Sequence, residues 1–259
     1  MAARDEIIAF ADELLDAAAF DDYGPNGLQV AGAADVSVLV TGVSAHRELF
    51  ERARALGADM VLCHHGLIWS KQSPVVDDVR RERLKALFDG GMSLAAYHLP
   101  LDAHAELGNN ALICAALGLE RAEPFGSAGG RPIGWVGRAL DPLPAGELFE
   151  RCTRVFGMRG DGWQRAPLVY DHGPAMVATV GVVSGGGAGM LADAVARGLD
   201  AFLTGEPSEP AMAEAREAGI HFVAAGHYAT ETFGVRRLGE VLAERFGLEH
   251  RFVDVPNPV

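Results

Sequence analysis

Three segments of this 259-residue chain carry histidine and carboxylate side chains at spacings that suit metal binding. The first is His64-His65, which follows the apolar run Met60–Cys63 and precedes Gly66. Imidazole is the commonest metal-binding side chain near neutral pH. Side chains alternate faces along a strand, so adjacent histidines share a face only where the backbone turns between them, which Gly66 would help. The second segment runs from His98 to His104 (HLPLDAH), where Asp102 offers a hard oxygen ligand. His98 and His104 could be ligands, partners of ligands or proton carriers. The third is Gly226–Glu231, in which His227 and Glu231 stand four apart and stack on one face once a helix begins. Each segment alone has an ordinary reading: a hydrogen-bonded histidine pair, an aspartate capping a helix, a solvated His–Glu pair. All three, however, fall at the ends of predicted strands, where they are expected to converge.

Three neutral imidazoles with two carboxylates leave a pair of divalent cations with net positive charge. That charge would hold water or an anionic substrate. Mixed nitrogen and oxygen donors suit Zn, Mn, Fe, Co or Ni. Thiolate is absent from the set, because strand alternation turns Cys63 away from His64. Glu231 is the natural bridge, since one carboxylate can span metals ~3.5–4 Å apart.

The elements that position these residues alternate between short β-branched runs and amphipathic helices. Strands are expected at 37–43, 59–63, 92–97, 133–140, 176–183, 201–204, 221–225 and 251–255. Helices are expected at 47–56, 79–88, 109–117, 145–156, 190–197, 210–218 and 232–246. This rhythm predicts an α/β fold with mixed, largely parallel sheets. In such sheets ligands bind at the C-terminal ends of the strands. An internal repeat reinforces the reading. Ala53–Leu62 aligns without gaps on Ala194–Leu203, so that Gly57 meets Gly198 and Asp59 meets Asp200. Gly91–His98 likewise resembles Gly219–His227. Two structurally similar halves are therefore expected, 1–124 with His64, His65 and Asp102, and 125–259 with His227 and Glu231, and the metal site between them. The repeat sets His64 and His65 opposite Gly205 and Glu206, which makes Glu206 a further candidate.

Other features bound the function. A net charge of −13 argues against broad binding to duplex nucleic acid or anionic membranes. The one basic cluster, Val79–Lys85, reads as a solvated helix face. Three scattered cysteines form no CxxC pair, which suits a reducing cytoplasm. The start of the chain is acidic and amphipathic rather than a signal peptide, and no apolar stretch is long enough to span a bilayer. A soluble cytoplasmic protein without membrane partners is expected. Ser184–Gly189 lies between a strand and a helix, and is either a phosphate cradle of bare N–H groups or a tight turn. Trp69 is either a stacking wall beside the histidines or core.

At these residues the chain resembles the Nif-three-like family of dinuclear-metal hexamers, whose members are labelled GTP cyclohydrolase type 2 homologues. The resemblance covers essentially the whole chain, through YGPNGLQV, CHHGLIWS, YHLPLDAHAELGNNA, SGGGAG, TGEPSE, AAGHYATE and VDVPNPV. It implies metal ligands at His64, His65, Asp102, His227 and Glu231, two divalent ions per chain, two intertwined halves and a homohexamer built as a trimer of dimers. The resemblance implies a short form without an extra central domain. The function expected is a metal-dependent hydrolase acting on a nucleotide-like or phosphorylated small molecule, with His98 as acid and base. The competing expectation is a non-catalytic metal-containing ring that serves as a scaffold, a regulator or a single-stranded nucleic-acid binder.

Overall fold

A computed structural model describes residues 1–160 and 163–259. The chain packs as two compact α/β units that are intertwined in sequence. Met1–Leu101 and Gly234–Val255 form the first, and Asp102–Phe233 with Pro256–Val259 form the second. The division falls earlier than 124/125. Helix Asn109–Ala116 and the loop after it bury Ile113, Cys114, Leu117 and Leu119 in the core of the second unit. Strand Glu120–Phe125 pairs antiparallel with Gly134–Pro144 of that same unit. Asp102 therefore belongs with His227 and Glu231 rather than with the histidine pair.

The sheet of the first unit runs in the order Glu249–Phe252, Val38–Ser44, Met60–His65, Ser93–Ala96 and Gly27–Val30. The first four strands are parallel and the last is antiparallel. Met60–His65 is central and apolar on both faces until it reaches the histidines, as a strand covered on two sides must be. Phe50, Val61, Leu87 and Leu94 form part of the core beneath it. In the second unit the order is Leu168–Tyr170, His221–Ala224, Ala201–Thr204, Met176–Val182, Gly134–Pro144 and Glu120–Phe125. Only the strands at 176–182, 201–204 and 221–224 are mutually parallel. No described helix is long and apolar enough to cross a membrane.

The repeat read from the sequence is a repeat of structure. Helices Arg47–Ala55 and Leu191–Ala196 both run out into a glycine in the left-handed region, Gly57 at φ 72° and Gly198 at φ 65°. The next aspartate then does the same work twice. Asp59 Oδ2 accepts from the backbone N–H groups of Ser37 and Val38 at 2.7 and 3.0 Å. Asp200 Oδ2 accepts from those of Ala178 and Thr179, both at 2.9 Å. Each carboxylate thus ties the start of one parallel strand to the backbone of its neighbour. Replacing Asp59 by Ala leaves two part-buried donors without their acceptor, so urea denaturation should show a loss of about 1–3 kcal/mol. An unchanged midpoint would show that the tie contributes nothing.

Candidate metal centre

The strand Met60–His65 carries both histidines of the pair to its C-terminal end. His64 is fully buried and His65 half-buried, with ring centroids 4.7 Å apart. They lean toward different neighbouring strands. His64 Nδ1 bonds the carbonyl of Tyr97 at 3.0 Å, and His65 Nδ1 bonds Ser44 Oγ at 3.1 Å. A carbonyl only accepts, so neutral His64 carries its proton on Nδ1 and its lone pair on Nε2. Gly66 does not turn the chain through a left-handed conformation. It is glycine because a Cβ there would collide with the Gln29 amide, whose oxygen accepts from Leu67 and Ile68 N–H at 2.8 and 3.1 Å.

His98 joins this pair. Ligand atoms of His64, His65 and His98 all lie within 4.8 Å of one another, close enough to hold a metal ion. His98 is fixed by a residue that sequence reasoning passed over. Asp22 Oδ1 accepts from His98 Nδ1 at 2.7 Å, while Asp22 Oδ2 accepts from Asn26 Nδ2 and from Leu99 N–H, both at 2.9 Å. Burial pushes the Asp22 carboxyl up, but its hydrogen bond and charge interaction with His98, with further bonds from Asn26 and Tyr23 N–H, hold it below the usual carboxylate value. Trp69 stands beside the histidines rather than in the buried core. Its ring meets His98 edge-on at 5.2 Å and is half-buried.

The second unit gathers Asp102, His227 and Glu231 around Ser184-Gly185. Asp102 is buried in the short helix Leu99–Ala103, and its Oδ1 accepts from Ser184 Oγ and Asn109 Nδ2, each at 2.8 Å. The next residue, Gly185, is at φ 62°. A Cβ on it would collide with Glu231 Oε1 and stand 3.3 Å from His227 Nε2. His227 opens the helical turn His227–Thr230, which places its Nε2 3.2 Å from Glu231 Oε2. On its other side His227 Nδ1 bonds Glu206 Oε1 at 2.5 Å, so the residue that the repeat singled out supports a histidine.

Burial pulls the His227 imidazole down, but the hydrogen bonds and charges of Glu231 and Glu206 outweigh it and raise it to about 9. The raised value means that this cluster stabilises the metal-free fold fully below the ordinary imidazole value and ceases to do so as pH rises through about 9. A cation binding Nε2 at neutral pH must therefore displace a proton.

Part of the Gly-rich segment is tied down as a turn. The N–H groups of Ser184, Gly185 and Gly187 donate to Asn110 Oδ1, Thr230 Oγ1 and Thr204 Oγ1, and the turn Ala188–Met190 that follows leads directly into helix Leu191–Ala196. His104 turns its Nδ1 to the N–H groups of Glu106 and Leu107 and caps the next turn. The donors present fit a divalent cation of the nitrogen–oxygen class. Cys63 takes no part, since it is buried and burial pushes its thiol far up.

Comparison with known proteins places the chain in a family. The family model described as Duf34/NIF3 (NGG1p interacting factor 3) matches residues 2–258. A Pseudomonas aeruginosa protein called GTP cyclohydrolase 1 type 2 homolog is 43% identical over 252 residues, 97% of each chain. A protein of the same description from Escherichia coli K12 is 43% identical over 257 residues, 98% of each. A solved structure described as protein ybgI, of unknown function, superposes with a TM-score of 0.91 at 42% identity, with all of both chains covered. The chain belongs to the Duf34/NIF3 family.

Proposed function

We propose that the chain holds two divalent metal ions in one shared site, ligated by His64, His65, Asp102, His227 and Glu231, and acts as a metal-dependent hydrolase on a nucleotide-like or phosphorylated small molecule. One observation carries the reading. All three imidazoles of the set are anchored through Nδ1 within their own unit, on Tyr97, Ser44 and Glu206. Metal-binding histidines characteristically use their second nitrogen in this way, which fixes the ring and leaves Nε2 to bind. Asp102 is likewise oriented, by Ser184 and Asn109.

A bound pair of divalent ions would supply Lewis-acid polarisation of a phosphoryl or ring-carbon centre. The chain's own residues would do the rest. Glu231 would bridge, and Ser184 and Asn109 would hold Asp102 in place. His98 has its ring fixed by Asp22 and would move a proton at Nε2. Trp69, edge-on to that ring, would limit the water that reaches it. In this reading the protein works as a homohexamer, a trimer of dimers, which would leave room for small molecules rather than folded proteins.

A screen of metal-loaded protein against nucleotides and phosphoesters tests the activity. Turnover that requires metal and disappears in Glu231→Gln supports it. Full metal loading with no turnover of any compound would favour a non-catalytic metal protein.

A further inference from the structure

The second unit contains a cation that the metal reading does not use. Arg165 ends the strand Trp163–Arg165 and is half-buried. Its guanidinium lies over the backbone of Gly226, the residue that starts the helical turn bearing His227. The approach is so close that a Cβ on Gly226 would overlap Nη1 and stand 3.2 Å from Cζ. Among the described residues, none is hydrogen-bonded or ion-paired to the guanidinium. Glu206 is the carboxylate whose charge it feels, and Glu206 is engaged by His227 Nδ1. Burial, opposed by Glu206, holds Arg165 below its ordinary value.

A half-buried guanidinium without a partner has lost part of its hydration with no hydrogen bond in exchange. Arginine's planar fork matches the oxygens of a phosphoryl group and binds them through two parallel hydrogen bonds. The location adds direction, because Gly226 lies next in the chain to His227, and Glu206 touches both residues' electrostatics. We infer that Arg165 is a substrate-binding residue, which recognises the phosphate of a small-molecule ligand bound beside His227. The inference deepens the hydrolase reading by naming the group that the substrate must carry, and it rests on that reading for the identity of the neighbouring centre.

The test is calorimetric titration of inorganic phosphate into wild type, Arg165→Ala and Arg165→Lys, each in metal-loaded and metal-free form, with metal content measured on the same samples. Wild type should bind phosphate at least ~10-fold more tightly than Arg165→Ala in both forms, the size expected for loss of a charge-assisted bidentate pair. Arg165→Lys should fall between them, because an ammonium is a point charge rather than a fork. Metal content should be equal in all three proteins. Equal phosphate affinity in wild type and Arg165→Ala would overturn the inference. So would loss of metal from Arg165→Ala, which would make Arg165 a support for His227. Metal content reports separately on the metal centre, and the metal-free titrations keep Arg165 testable even if no metal loads.

Discussion

Glu231→Gln should lower the occupancy of both metal positions at once, with the fold intact. The side chain keeps its shape and stays buried beside Gly185, but it loses the negative charge and one of its two strong acceptor oxygens. Loss of a residue that only supports a ligand typically costs 10–100-fold in metal affinity. Loss of a bridging ligand should therefore exceed ~100-fold at both positions. The check is elemental analysis beside circular dichroism. A variant that retains one ion at full occupancy would show that Glu231 serves a single metal and would refute the bridge.

Gly185→Ala should produce a similar loss without replacing any ligand. The added Cβ has nowhere to go. It meets Glu231 Oε1, and the backbone at φ 62° is one that residues other than glycine adopt at a cost of about 1–3 kcal/mol. The Gly185 carbonyl accepts from Gly205 and Glu206 N–H at 2.9 and 3.0 Å, so the turn cannot easily rotate away. The carboxylate must move instead. Gly186→Ala is the control, since a Cβ there meets nothing within 4 Å. Metal binding should fall sharply in the first variant and stay near wild type in the second. Equal metal content in both would mean that Gly185 does not shape the cluster.

The sequence was legible where burial imposes a pattern. The helices at 145–156 and 232–246 and the strand at 201–204 lie where their periodicity puts them, because each packs an apolar face against a core. It was opaque at sheet edges. Gly27–Val30, Glu120–Phe125 and Leu168–Tyr170 are all edge strands, and none shows a clear strand pattern. Glu120–Phe125 exposes five of its six residues. The last strand, read at 251–255, lies at Glu249–Phe252, because an edge strand tolerates Glu249, His250 and Arg251 on its ladder.

The site divides in the same way. Histidine and carboxylate at strand ends could be read from residue type and spacing. The residues that aim them could not. Asp22 lies 76 positions from His98, and Ser184 lies 82 positions from Asp102. No local pattern marks a serine or aspartate that acts only through such a distant partner. Glu206 is the exception, because the repeat carried the position of His65 onto it.

Metal stoichiometry tests the central claim most directly. Protein purified without chelator, and again after reconstitution with Zn, Mn or Fe, is measured by elemental analysis. The account predicts about two divalent ions per chain at full loading. A chain that remains metal-free after reconstitution with all three metals would contradict it.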